Sequence, residues 1–321
     1  MYVGENMNLY KLALKKIKNY STIIIFGHTS PDGDCYGAQS ALKAFLKEIY
    51  PNKDIFIVGS GFARAIPYFG EMDIIDDSKF EQALGIVVDV SDIERIEDQR
   101  VKLCHEVIKM DHHLKSDVDN PFFSLNISNT RVSSASQMIA HFILENNYKI
   151  SKEVAERIFL GIVTDTGRFN FLSSTQGMFP VLDVLIKSKI DFQKIYDFLY
   201  EGDEVATRVK GYISYSFKSS ENNVAYIILD KDTLKSLNVD FNYAASLVNC
   251  LAGMKEFPIW VLFAESETGL IRVELRSKKY NVQQVAVKFG GGGHLQASGC
   301  RINNLDDCVK VIEELDNLLK E

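Results

Sequence analysis

An excess of basic charge, paired cysteines and long apolar runs are all missing from this chain, and each absence weighs against a class of function. The 321 residues carry 36 Lys and Arg against 43 Asp and Glu, a net charge of −7. A protein that coats long nucleic acid needs a basic surface to displace counterions, so the balance argues against that class. It does not argue against a short anionic substrate held at one local positive site. The five cysteines (35, 104, 250, 300 and 308) form no CxxC pair and leave one over. That argues against a disulfide framework or a structural zinc and fits a reducing cytoplasm. Residues 1–20 are lysine-rich and amphipathic, with Leu9, Leu12, Ala13 and Ile17 on one face, and only five strongly apolar residues follow them. This is too few for a signal peptide or a membrane span. No internal repeat or low-complexity segment stands out. The remainder has ordinary soluble composition, 46% hydrophobic and 25% charged, and is long enough for two domains with separate cores.

The stretch Gly27-His28-Thr29-Ser30-Pro31-Asp32-Gly33-Asp34 is the chemical centre of the sequence. It follows a short apolar run, 22–26, that reads as a buried strand, and precedes 38–50, where apolar residues recur at helical spacing. Strand, Pro/Gly turn and helix form half of a βαβ unit. The turn carries one imidazole and two carboxylates, and in an extended segment Asp32 and Asp34 point the same way. Such donors suit a hard or borderline divalent metal. The competing reading is a helix N-cap, with Asp32 or Asp34 bonding the free amides of the next helix.

Farther along the chain the metal reading strengthens. Strands are expected at 54–58, 84–88, 106–110 and 121–127, and helices at 133–145 and from a Ser151 cap to Asp165. Three of the apolar strands finish on His or Asp: His28 follows the first, Asp89 ends another, and Asp111-His112-His113 ends a third. In an open parallel sheet the carboxyl ends of the strands line one crevice, so these residues and Asp165 should converge. The segment 175–215 reads as helical and charged. Beyond it, strands at 224–229, 258–265 and 270–276 and helices at 282–289 and 305–319 suggest a smaller sheet domain. Between those helices, Gly290-Gly291-Gly292-Gly293-His294 reads as a loop before a helix start, with backbone amides open to an anion.

Taken together these residues resemble the DHH phosphoesterase superfamily, in the subgroup that carries a DHHA1 domain, over nearly the whole chain. The loop from His28 to Asp34 is similar to the first motif, Asp89 to the second, and Asp111-His112-His113 to the signature that names the family. Gly161-Ile162-Val163-Thr164-Asp165-Thr166-Gly167-Arg168-Phe169 resembles the fourth motif. Arg276-Ser277 and the run from Phe289 through His294 to Gly299 resemble the second domain. Within the superfamily the strongest likeness is to the standalone nano-RNase and pAp phosphatase proteins, which lack sensory and membrane segments. Ala38 and Gln137 depart from the family pattern, where a small hydroxyl residue and Glu are frequent; neither is a metal-ligand position. Cys35 beside the loop is unusual there and reads as a buried thiol.

The resemblance implies an α/β fold: an N-terminal parallel-sheet DHH domain with helices on both faces (1–190), a helical connector (191–215) and a smaller C-terminal α/β DHHA1 domain (216–321). It implies two divalent ions, Mn²⁺ by preference. His28, Asp32 and Asp89 would hold the first, and Asp34, Asp89, His112 and Asp165 the second, with Asp89 shared. By the same likeness His113 touches the substrate phosphate while Asp111 orients a histidine, so that His113, Asp111 and Asp89 form the catalytic set. Arg276, the amides of Gly291, Gly292 and Gly293, and His294 would hold a terminal phosphate, and Arg168 is a further phosphate contact. Phe169 is either a base-stacking ring or core. The expected activity is hydrolysis of short oligoribonucleotides or of the 3′-phosphate of pAp in a cleft between the domains. A pApA or cyclic-di-AMP phosphodiesterase, an exopolyphosphatase and a non-catalytic nucleotide sensor are the alternatives. The expected partner is a short phosphorylated nucleotide, with no long duplex and no membrane; a homodimer is left open.

Overall fold

The computed structural model describes residues 3–113, 120–170 and 176–320, and they divide into two compact units, Met1–Glu201 and Gly202–Glu321. In unit 1 the order is α1 (Val3–Asn19), β1 (Thr22–Phe26), α2 (Gly33–Ile49), β2 (Asp54–Val58), α3 (Ile66–Phe69), β3 (Leu84–Val88), β4 (Glu106–Asp111), β5 (Leu125–Ser128), α4 (Ala135–Glu145), α5 (Lys152–Asp165), α6 (Met178–Lys187) and α7 (Phe192–Tyr200).

The five strands form one sheet in the order β2-β1-β3-β4-β5, every pair parallel. Alternate side chains of each strand point to opposite faces. Ile23 and Ile25, Ile86 and Val88, and Ile108 and Met110 pack with α1, α2, α4 and α5 on one face. Ile24, Phe26, Val87 and Val107 pack on the other, beneath short 3₁₀ helices at Ile93–Arg95 and Gln99–Leu103. Continuous apolar strands follow from burial on both faces. The chain leaves β1 toward β2 on one side and returns to β3 on the other. Adjacent loops therefore diverge at the carboxyl ends of β1 and β3, the crevice where open α/β sheets bind ligands.

Local sequence accounts for most boundaries; the start of α2, the bounds of β5 and the buried face of α1 differ from expectation. The helix after the His28 loop begins at Gly33, because Asp32 caps it: Asp32 Oδ1 accepts from the amides of Asp34 and Cys35 at 2.9 and 3.0 Å. Asp32 and Asp34 are thus a cap and a first-turn residue, not neighbours in an extended segment. The strand expected at 121–127 is Leu125–Ser128, since Asn120 and Phe123 close a turn before it. In α1, Tyr10 joins Ala13 and Ile17 on the buried face, whereas Leu12 is exposed. α5 starts at its Ser151 cap, whose hydroxyl accepts from the Val154 amide.

Unit 2 holds α8 (Glu204–Ser216), β6 (Lys218–Ser219), β7 (Val224–Leu229), α9 (Lys231–Ser236), α10 (Phe241–Ser246), β8 (Ile259–Glu265), β9 (Ile271–Ser277), α11 (Gln283–Lys288), β10 (Gly292–His294), β11 (Ala297–Ile302) and α12 (Asp306–Asn317). Its six strands lie in the order β10-β11-β9-β8-β7-β6, antiparallel except for β7 and β8. α11 and α12 cover one face; α8, α10 and the 3₁₀ turn Leu247–Leu251 pack on the other. The helices of 191–215 are absorbed into these cores. α7 buries Ile195 and Leu199 in the first, and α8 buries Val209 and Ile213 in the second. Among the described residues no helix is long and apolar enough to cross a membrane.

Candidate metal centre and active site

Six side chains from five segments of unit 1 meet at the carboxyl end of its sheet. His28 follows β1, Asp32 and Asp34 open α2, Asp89 follows β3, His112 follows β4, and Asp165 ends α5. His28 Nε2 stands 3.8 Å from Asp32 Oδ1 and 3.5 Å from Asp89 Oδ2. His112 Nε2 stands 3.8 Å from Asp34 Oδ2, 3.3 Å from Asp89 Oδ1 and 3.7 Å from Asp165 Oδ2. Asp89 faces both imidazoles, one with each oxygen. Most of these separations exceed a hydrogen bond, while Asp34, His112 and Asp165, Asp89 with His112 and His113, and His28 with Asp89 and Cys35 each offer ligand atoms within 4.8 Å of one another. Asp89 Oδ1 is buried with no aligned hydrogen-bond partner. A buried carboxylate oxygen left in that condition costs free energy unless a cation completes it, and the imidazole and carboxylate set suits a divalent ion.

The backbone is shaped to deliver these groups. Asp89 has φ 59°, a left-handed conformation that Asp tolerates better than most residues and that turns its side chain as the strand ends. The loop at His28 is tied down by hydrogen bonds from Thr29 N to Arg95 O at 2.8 Å and from Glu97 N to Gly27 O at 3.0 Å. Asp34 reaches across to the N-terminus of α4, where the Ala135 and Ser136 amides donate to its two oxygens at 2.7 and 2.9 Å. The amides of a helix's first turn favour an anion there. Such close packing requires glycine at position 161 of α5: a Cβ on Gly161 would lie 2.6 Å from Asp34 Oδ1 and 1.9 Å from Ser136 Oγ.

The electrostatics record crowded carboxylates. Burial, with the neighbouring Asp89 and Asp165 charges, holds Asp34 well above the usual carboxylate range. Asp165 is pushed up to about 6 by burial, His112 opposing and Asp89 adding to the rise. Burial works against charge on His112, but contact with Asp89 and the field of Asp34 outweigh it and lift it to about 10. For His28 burial is likewise outweighed, here by Asp32 and Asp89, and the imidazole stays protonated far above its ordinary range. Asp32 lies low because the nearby His28 and the cap amides overcome its burial. Among protein groups alone, protonated imidazoles balance the carboxylates; a divalent cation supplies that charge directly and inverts this pattern.

Asp111 and His113 sit beside this cluster. His113 Nδ1 lies 2.7 Å from Asp111 Oδ1 and 3.8 Å from Asp89 Oδ1. Burial would raise Asp111, but His113 and then Lys109 hold it low, so the carboxylate accepts Nδ1–H. Arg168, three residues beyond Asp165, lies on a turn where residues 167–169 all have positive φ, and its guanidinium lies 4.8 Å from the Tyr200 ring centre. Phe169 packs against the core beside Phe159, which is the structural of its two readings.

The remaining expected contacts are in unit 2. Gly292–His294 is a strand paired with β11, Gly292 opposite Gly299 and His294 opposite Ala297, so the expected helix start after the glycines is corrected. Gly291 N donates to Ala286 O at 2.8 Å, closing the end of α11 and engaging one of the amides expected to meet an anion. The side chain of His294 lies outside the described part. β9 places Arg272, Glu274 and Arg276 on one face, opposite Arg301, Gly299 and Ala297 of β11. They line a groove of about 540 Å³ together with Gly290 to Gly293. Glu274 holds both arginines, Arg272 at 2.7 Å and Arg276 at 3.1 Å. Arg272 and Glu274 lie outside the motifs; their two-residue spacing from Arg276 is the signal that places all three on one strand face.

With this geometry in place, residues 22–162 match the DHH family, N-terminal domain, and residues 221–321 match the DHHA1 domain. The chain belongs to the DHH/DHHA1 phosphoesterase family: a metal-dependent hydrolase acting on phosphate esters. It is 35% identical over 311 residues, 96% of this chain and 98% of the relative, to the bifunctional oligoribonuclease and PAP phosphatase NrnA of Bacillus subtilis (strain 168). It is 33% identical over 314 residues, 98% of this chain and 100% of the relative, to a probable protein of the same name from Streptococcus mutans serotype c. An exopolyphosphatase-related protein from Bacteroides fragilis superposes with a TM-score of 0.86 at 27% identity, covering 98% of each chain.

Proposed function

We propose that this chain is a manganese-dependent phosphohydrolase that removes 5′-terminal nucleotides from oligoribonucleotides of a few residues and the 3′-phosphate from pAp. The observation that carries the proposal is Asp89, buried between His28 and His112 with no aligned hydrogen bond to one of its oxygens. In this reading His28, Asp32 and Asp89 hold one ion, and Asp34, Asp89, His112 and Asp165 hold a second. Two such ions, when bound, supply an activated water and neutralise charge developing on the phosphate. The protein's own part is to hold its donors apart in a fixed array. His113, with Nδ1 committed to Asp111, turns Nε2 to the substrate phosphate, and Arg168 adds a cation three residues past Asp165. The groove of Arg276 and Gly291 to Gly293, with His294, is assigned to the substrate's terminal phosphate, where a planar guanidinium can meet two oxygens.

The names of the Bacillus and Streptococcus relatives support the substrate class. The net charge of −7 supports a short substrate over long strands or duplex. Five free cysteines are consistent with action in the cytoplasm. The test is turnover by metal-stripped protein resupplied with Mn²⁺. The substrates are pAp, labelled ribonucleotides from dimer to pentamer, a long single strand, pApA, cyclic di-AMP and polyphosphate. The expected result is fast release of mononucleotide from the short RNAs and of phosphate from pAp, with the long strand spared. Consumption of polyphosphate alone would replace the nucleotide assignment with an exopolyphosphatase.

A further inference from the structure

Lys109 lies in the middle of β4 with its side chain wholly buried. A buried ammonium is costly unless paired, and an apolar side chain of similar volume would be neutral or stabilising at such a place. Its surroundings argue for a task other than packing. Lys109 Nζ donates to the carbonyl of Ser91 at 2.6 Å and stands 3.5 Å from Asp111 Oδ2 and 5.3 Å from the centre of the Phe123 ring. Ser91 is two residues past Asp89, on the loop that leaves β3. The other oxygen of Asp111 holds His113 at 2.7 Å. Asp111 Oδ2 is buried and makes no aligned hydrogen bond, so the ammonium is its counter-charge. One cation therefore joins the loop carrying Asp89 to the carboxylate carrying His113.

We infer that Lys109 is a positioning residue of the phosphoesterase site, anchored by Ser91 and acting through Asp111 to fix the imidazole of His113. The inference rests on the proposed reading, in which His113 contacts the substrate phosphate. It goes beyond the motifs, because position 109 precedes the Asp111-His112-His113 signature and is not part of it. A lysine amid the apolar residues of a central strand is the sequence signal for it.

The test compares Lys109→Met, His113→Ala and the double variant on a short RNA with Mn²⁺. Lys109→Met should lower kcat by about 10- to 100-fold, the range for partners that orient active-site groups, with KM within about 2-fold. In the double variant the loss should equal that of His113→Ala alone within about 2-fold, because both changes remove one contact. A residue that only supports the fold would instead multiply the two losses. Should Lys109→Met fail to fold because Asp111 is left unpaired, Asp111→Asn and Lys109→Met/Asp111→Asn carry the same comparison, as the double variant leaves no lone buried charge and the single one keeps the ammonium on the Ser91 carbonyl. Their kcat values should agree within about 2-fold. Turnover by Lys109→Met at the wild-type rate, or multiplied losses in either double variant, would overturn the inference. Failure of the parent reading shows elsewhere: wild-type protein would turn over no phosphorylated nucleotide, and the role of Lys109 would fall with it.

Discussion

A methyl group on Gly161 should separate metal binding from stability. In Gly161→Ala the new Cβ would lie 1.9 Å from Ser136 Oγ, 2.5 Å from Ser136 Cβ and 2.6 Å from Asp34 Oδ1, so those groups must retreat. Overpacking of this kind costs about 1–3 kcal/mol, and replacing glycine inside a helix returns about 1 kcal/mol. The net loss is about 0–2 kcal/mol, a fall in Tm of up to about 8 °C for a unit this size. The effect on Asp34 is larger, because its carboxylate is fixed between Ala135 N, Ser136 N and His112. A ligand displaced by a few tenths of an ångström to about 1 Å loses about 10- to 100-fold in metal affinity or rate. The assay is a Mn²⁺ titration of turnover at saturating substrate, paired with thermal unfolding. Adding Ser136→Gly removes the clash with Ser136 but not that with Asp34, so metal affinity should remain low in the double variant. A Mn²⁺ dependence of Gly161→Ala within about 2-fold of wild type would refute the reasoning.

Three further outcomes are expected. Asp89→Asn should keep the fold, since Asn also tolerates the left-handed backbone, but should lose turnover by at least about 100-fold. Mn²⁺ at about 100 times its Kd should stabilise wild type by about 2.7 kcal/mol and this variant by much less; equal thermal shifts would remove Asp89 from the metal site. Arg276→Ala should raise KM for substrates with a terminal phosphate by about 10- to 100-fold, equivalent to a charge-assisted bond of about 1.5–3 kcal/mol. Substrates lacking that phosphate should be unaffected, and a uniform effect on both would reassign the groove. Glu106 is held down at about 2, its burial outweighed by Lys16, Ser124 and Tyr20. Because its folded pKa lies below the ordinary 4.5, its contribution is complete above that pH and fades as pH falls toward 2. Urea unfolding should show wild type ahead of Glu106→Gln by about 1 kcal/mol at neutral pH, the partly exposed pair being screened by solvent, and a smaller gap at pH values below 4.5. A gap independent of pH would assign the difference to packing.

How much of this protein could be read without coordinates depends on the range of each interaction. Apolar runs ending at Asp89 and at Asp111-His112-His113, and the Ser151 cap of α5, are local signals, because periodicity and capping act over a few residues. They marked the strands, the family and the six ligand-type residues. Local signals also misled. The four glycines read as a loop before a helix, yet pairing with β11 draws the last two, Gly292 and Gly293, into an edge strand with His294, and only the partner strand decides that. The acids at 32 and 34 read either as an extended pair or as a helix cap; Asp32 is the cap of its own helix, while Asp34 is held by amides 101 and 102 residues away. Which strand lies beside β1, which helix end receives Asp34, and why a lysine is buried beneath Asp111 all follow from chain closure. The sequence by itself determined the elements and the chemistry they carry, since both are written in residue type and spacing. The tertiary structure alone decided which oxygens face one another, because that depends on side chains meeting across the sheet and not along it.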